Sequence, residues 1–410
     1  MNTVFSCRLM SLLMAVLFCS VHAMGQDRVF VLCEGAQDFY SGEVLQAPAV
    51  GVIDLDAPDA GFAVLHTFEG QAFAADLCVA ENGESLYVAG EDTVYRMDAW
   101  TGEILAAQAL QGARQLVEYG GQLFVTRGDH DPLTWGSVAF DEYLVALDAQ
   151  TLAWEAAWDA DGIAGPGFAT EGACVQQGFL YIGINNAFAF GEEVGRIGRV
   201  ELATGNYDEV DLGPEGLNPV HLLAAEDGSV ITVNARQYDG TSLSRWSSAE
   251  VSTVPVAEVT AGCGAAAWHE GGVFFQVYGE GAFRKADGTT LAPVEGWAGN
   301  GTSVYSMEVL ASGRVLLGTT DFVSSGQVEL WDLEEGLIWS MPVGVAPGKM
   351  EQSATAVQSV SSMVQVGAAT LEATCDVMGR PVDMGRPGVN GLVLHRWSDG
   401  SVTKEMRMAD

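Results

Sequence analysis

Asp129-His130-Asp131 sets three potential metal ligands in a row, and Asp141 and Glu142 follow in the same segment. Carboxylate oxygens suit calcium, although the segment lacks the glycine and distal glutamate of an EF-hand loop. Asp129 and Asp131 are therefore candidate calcium ligands, with solvated turn acids as the alternative, and calcium is the one cofactor the sequence suggests. Trp135 and Phe140 lie in that segment as well. Tyr40, Arg114, His130, Asn185, Asn186, Phe188, Tyr238 and Trp297 fall in similar polar, glycine-containing stretches. Ring faces beside a few amides and charges make a platform for a small molecule, and rings that merely cap one another would read the same way. Catalysis has no such signature. The six histidines are scattered, and no Gly-x-Ser-x-Gly elbow, His-Glu-x-x-His or phosphate loop occurs. The chain reads as a binding protein and not an enzyme.

These stretches are punctuated by a repeat of about 40 residues. One unit runs from Leu77 to Gly90 and on from Thr93 to Leu105; it recurs at 116–126 with 143–152, and at 173–183 with 198–205. Weaker copies begin at His221, Ala265 and Met307, and 28–33 with 50–56 supplies part of another. Within a unit, an apolar strand leads through a glycine turn to an aromatic and β-branched strand. A third strand alternates, and an acid four residues before a glycine (Asp98/Gly102, Glu201/Gly205, Asp332/Gly336) turns the chain into a fourth. Four-stranded units at this spacing define a β-propeller, and the copies number seven. The fold class is all-β. The incomplete first unit needs a strand from the far end, expected at 341–348, which would close the ring and leave no open edge. Loops between strands 2 and 3, and those between blades, share one face. The candidate residues all fall there.

Composition agrees. Glycine makes up 50 of 410 residues, about 12% against a usual ~7%, as many turns require. Lys and Arg number 18 against 54 Asp and Glu, and 18 − 54 gives a net charge of −36. Such a surface repels phosphate backbones, so nucleic acid is excluded as a partner.

Both ends read as addresses. Arg8, the apolar run 9–21 and the small residues Val21 and Ala23 form a secretory signal peptide over 1–23. Cys33, Cys78, Cys174, Cys263 and Cys375 remain beyond it, an odd number without a Cys-x-x-Cys pair. Cys78 and Cys174 occupy one repeat position among apolar neighbours and are expected as buried free thiols. The propeller is assigned to 24–350, a small polar linker to 351–363, and a small β domain to 364–410.

The units resemble those of the YVTN-type (YncE-like) propellers, which run Gly-x-Leu-Tyr-Val and then Asp-x-x-Thr-Gly, over residues 27–350. Arg28-Val-Phe-Val-Leu-Cys-Glu-Gly35, with Val343-Gly-Val-Ala-Pro-Gly348 at the close, is similar to the variant found in exported Bacteroidota proteins. That family includes surface proteins that capture cobalamin for a TonB-dependent transporter. Asp376-Val-Met-Gly-Arg380, Gly391-Leu392, Ser398-Asp-Gly400 and Lys404 resemble the type A sorting domain of the type IX secretion system, and a capping hairpin is the simpler alternative. The resemblances imply an exported chain, extracellular or attached to the outer-membrane surface. Its implied partners are the type IX machinery, a small-molecule ligand and an outer-membrane transporter. The alternative role is a protein-interaction or adhesion propeller with no small-molecule ligand.

Overall fold

A computed structural model describes residues 27–38, 41–131, 133–134, 136–247, 250–262, 264–280, 283–294 and 304–353, together with the strand backbones 371–376, 391–397 and 402–407. The segment read as a signal peptide, Tyr40, Trp135, Trp297 and Cys263 lie outside the described residues.

Seven four-stranded antiparallel sheets follow one another along the chain. Blade 2 is typical: Ala74–Val79 is innermost, then Ser85–Gly90, Thr93–Asp98 and Ile104–Ala109. The second strand is buried throughout, because neighbouring blades cover both of its faces, and the outermost strand is largely exposed. Blades 3 to 7 have Ala113–Tyr119, Thr170–Gln176, Pro219–Ala224, Ala266–His269 and Val304–Val309 as their innermost strands. Seven apolar clusters among the described residues each join two neighbouring blades. One brings Tyr87 and Val94 of blade 2 against Leu123 and Val145 of blade 3, and another brings Val29 and Met350 against Leu316 and Val328. The second of these joins the propeller's first and last blades and closes the ring.

Closure comes from the end of the propeller chain, as expected, but six residues later. Pro347–Gln352 is the innermost strand of blade 1 and pairs with Arg28–Cys33, matching Val31 to Met350. Residues 341–345 instead finish the outermost strand of blade 7, Gly336–Val345. Ala346, at φ 52°, turns the chain between the two, and Pro347 takes the first strand position, where a missing N–H costs least. The closing strand thus runs two residues past the boundary expected at 350, and Ser353 still donates its N–H to Arg28 O at 2.7 Å. Gly348 is required here: a Cβ would stand 1.8 Å from Glu34 Oε1.

The acid-led turns between third and outermost strands have a common cause. Asp98, Asp148 and Asp287 each accept N–H bonds from residues two and three positions on, and the hydroxyl of Thr101, Thr151 or Thr290 as well. The fifth residue of each turn is left-handed. Glycine fills it at 102, 205 and 336, but Leu152 (φ 58°) and Leu291 (φ 60°) stand there in blades 3 and 6. Both leucines are fully buried, so burial outweighs a left-handed cost of about 1–2 kcal/mol.

Residues 357–410 form a separate unit whose described backbone is a three-stranded antiparallel sheet, Leu371–Asp376, Gly391–Trp397 and Val402–Arg407 in that order. The turns expected at 378–379 and 399–400 lie outside the described residues.

Candidate functional site

The loops between second and third strands differ sharply in length. Blade 2 turns at residues 91–92, while blade 1 spends 34–48 and blade 3 spends 128–141 on the same connection. A short loop between two long ones leaves a depression. A cavity of about 490 Å³ fills it, with Gly90 and Glu91 from the short loop, Gln37 and Ser41 on one side, and Asp129, His130 and Leu133 on the other. Arg114 and Phe188 also line it.

Arg114 reaches this position through a β-bulge. The register of the innermost strand slips near the loop face in blades 2, 3, 4, 5 and 7. The residues inside the slips include Arg114, Glu171 and Tyr305, which leave the regular ladder and are re-aimed, as bulges generally do. Arg114 Nη2 donates to Glu171 Oε1 at 2.8 Å, and its Nε lies 3.2 and 3.3 Å from the two carboxylate oxygens. The guanidinium sits 5.3 Å from the Phe188 ring centre, and Phe188 stacks on His130 at 6.1 Å with an interplanar angle of 11°. Glu171, Arg114, Phe188 and His130 therefore form one continuous column. Asp129 accepts from Gln111 Nε2 at 2.9 Å and from the His130 N–H at 2.7 Å.

Four expected site residues, Arg114, Asp129, His130 and Phe188, thus meet in one cavity. Tyr238 lines a second cavity, described below. The other described candidates support the loops instead. Phe140 packs beneath the Arg127 guanidinium at 4.1 Å and edge-on to Tyr143. Asn185 is fully buried, and Asn186, at φ 52°, donates Nδ2 to Glu192 O at 2.9 Å. Asp131 Oδ1 accepts the N–H groups of Leu133 and Thr134, both at 2.8 Å, which holds its carboxyl below the usual range. Among the described residues no group of three or more His, Cys, Asp or Glu side chains could hold a metal ion.

Below the face, the innermost strands line the channel with charges the sequence reading did not single out. Lys349 Nζ lies 3.7 Å from Asp76 Oδ1. Asp76 raises the Lys349 ammonium above its ordinary value, while burial raises Asp76 itself. Burial also pushes Glu351 to about 8 and Glu308 to about 7, with Lys349 opposing both. Glu34 is pushed to about 8 by burial, against the pull of the Tyr305 hydroxyl, which donates to Oε2 at 2.6 Å. His221 is held low by burial, with Nε2 at 2.5 Å from Gly264 O. One signal was present: Asp76 and Glu171 are acids inside otherwise apolar, strand-forming runs. Cys33 and Cys78 are buried, Cys174 is half-buried, and all three are free thiols.

Fold and face together define a seven-bladed β-propeller whose loop side carries a cavity suited to binding. No protein-family model matches the sequence, and no curated protein matches it either. Solved structures do. A putative 6-phosphogluconolactonase from Bacteroides fragilis is similar at a TM-score of 0.54 and 13% identity, over 81% of this chain and 99% of that one. Streptogramin B lyase is similar at 0.52 and 14% identity, over 70% of this chain and 94% of its own. The dihydro-heme d1 dehydrogenase NirN, solved with DHE, is similar at 0.52 and 15% identity over 79% and 74%. At such identities the likeness establishes the fold alone.

Proposed function

We propose that this chain is an exported propeller that binds a small molecule in the cavity over blade 2. The observation that carries the reading is the Glu171–Arg114–Phe188–His130 column on the wall of a 490 Å³ cavity. That volume falls in the range of about 300–1,000 Å³ used for small ligands. The wall offers one guanidinium, an imidazole, the Asp129 and Glu91 carboxylates and apolar surface from Phe73, Phe188 and Leu133, so it suits an amphipathic ligand with polar groups on one side. The role is binding without turnover, and a bound ligand is expected back unchanged by mass spectrometry.

The narrower reading, capture of a cobalamin for a TonB-dependent transporter, rests on the YncE-like repeat. Export rests on residues 1–23 and surface sorting by the type IX system on 364–410. Amino-terminal sequencing of the secreted protein tests the first, with Met24 as the expected new terminus, and deletion of 364–410 tests the second through retention inside the cell.

Thermal-shift and calorimetric titration with cyanocobalamin, haem, a sugar panel and calcium tests the site. A ligand at 100 times its dissociation constant should stabilise the protein by about 2.7 kcal/mol. Phe188→Ala should abolish that shift, and a shift that survives it would place the ligand elsewhere. A protein-binding role has one observation in its favour: Leu133, Phe190 and Val323, in loops of this face, are 89%, 74% and 77% exposed. If no small molecule binds and a surface pull-down depends on Leu133, that role replaces the first.

A further inference from the structure

A second cavity of about 340 Å³ opens on the same face, between the loops of blades 5, 6 and 7. Tyr238, Tyr278, Tyr305 and Phe322 contribute rings to it, and Gln276 and Thr320 contribute polar groups. The rings of Tyr305 and Phe322 meet at 4.8 Å and 80°, so they form a corner. Tyr278 is 72% exposed and Phe322 53%, although burying such rings is normally favourable.

The backbone holds two of these rings in place at a cost. Tyr238 has φ 61° and Phe322 φ 62°, a left-handed conformation that bulky residues seldom adopt. Around Phe322 the strain is locked by side chains. Thr320 Oγ1 accepts the Phe322 N–H at 2.9 Å, and Asp321 Oδ1 accepts those of Val323 and Ser324 at 2.9 and 2.7 Å. Strain kept by this much hydrogen bonding clusters where a ligand is held.

Charge decides what the ligand is. The first cavity has Arg114, but no lysine or arginine is among the described residues lining this one. The chain carries a net charge of −36, and the Tyr305 hydroxyl is tied down by donating to the buried Glu34 Oε2 at 2.6 Å. Aromatic faces are themselves negative and attract cations. We propose that this cavity binds an organic ammonium ion, with the trimethylammonium or a similarly alkylated head enclosed by the faces of Tyr278, Tyr305 and Phe322.

The test is calorimetric titration of the full-length secreted protein with choline and, separately, with 3,3-dimethylbutan-1-ol, its neutral isostere of the same shape. Choline is expected to bind at least about tenfold tighter than the alcohol, the scale of a desolvated cation–ring contact. Tyr278→Ala, at a largely exposed position, and Phe322→Ala should each weaken choline about tenfold, while Phe188→Ala in the first cavity leaves it unchanged. Equal or tighter binding of the alcohol would make this a neutral apolar pocket and overturn the proposal. Failure of both probes to bind would overturn it as well, and so would choline binding that is lost in Phe188→Ala and kept in Tyr278→Ala.

Discussion

Glu34→Gln isolates one buried electrostatic cost in the propeller. Glu34 follows the strand Arg28–Cys33, is 7% exposed, and accepts the Tyr305 hydroxyl at 2.6 Å. Burial raises its carboxyl from 4.5 to about 8; Tyr305 and Arg114 oppose the rise, and Asp76 and Glu171 add to it. The unfolded chain therefore loses this proton near 4.5 while the folded chain keeps it to about 8. Between those values the folded state binds more protons, so the group's contribution to stability falls as pH rises. The gap, at about 1.36 kcal/mol per pH unit, comes to about 5 kcal/mol once both forms are ionised. Glutamine keeps the shape and the carbonyl that Tyr305 donates to, yet has nothing to ionise. Urea unfolding followed by tryptophan fluorescence should place variant and parent within about 1 kcal/mol at pH 5. At pH 9 the variant should be about 4–5 kcal/mol more stable, on the order of 10 °C in melting temperature. A difference that does not change with pH would show that Glu34 ionises normally and that its burial is being offset. A variant weaker than the parent at pH 9 would show that the charge itself is needed.

Lys349→Met should destabilise by about 2–3 kcal/mol at pH 8. It leaves the buried Asp76 without its partner, and the loss falls short of a fully buried pair because the Lys349 side chain is 39% exposed. At pH 5 Glu308 and Glu351 hold their protons, so fewer buried charges lack Lys349 and the loss should shrink, which unfolding curves at both pH values will show. Leu152→Gly relieves a left-handed backbone of about 1 kcal/mol but empties a fully buried site; a net destabilisation of about 2 kcal/mol is expected, and a stabilised variant would mean the turn strain dominates. EDTA distinguishes the two roles of Asp129 and Asp131: an unchanged melting temperature leaves Asp131 as the acid that fixes the 131–134 turn, and a drop makes the pair calcium ligands.

The blades were legible because each writes its own pattern locally. Asp98 and Gly102 make their turn with bonds no longer than a few residues, so the motif predicts the geometry. The closing strand was harder. Val343-Gly-Val-Ala346 looks more strand-like than Pro347-Gly-Lys349, yet the ladder takes the latter, because Val343 and Val345 are already used in blade 7. The channel charges were hidden for a different reason: Glu34 and Tyr305 are 271 residues apart, and only ring closure makes them neighbours. Among the loop residues, polarity did not separate lining from support. Asn185 and Asn186 turn inward to hold their own loop, whereas Arg114 and His130 face the cavity, and both kinds of role call for the same side chains.

A propeller is nearly symmetric, so any site on it must come from what breaks the symmetry. Here two things do. The loop at 91–92 is short between two long neighbours and creates the first cavity, while the second connections of blades 5, 6 and 7 are of similar length and leave a smaller, aromatic one. Charge breaks it a second time. Glu34, Asp76, Glu171, Glu308 and Glu351 stand on or beside the innermost strands against Arg114 and Lys349, and Arg114 lines the first cavity. On the readings proposed above, an amphipathic ligand meets Arg114, already paired with Glu171, in the first cavity, and a cationic head sits over Tyr305 and Phe322 in the second. The bulge in blade 3 re-aims one guanidinium and the bulge in blade 7 re-aims a phenol, and the two proposed sites differ in charge for that reason.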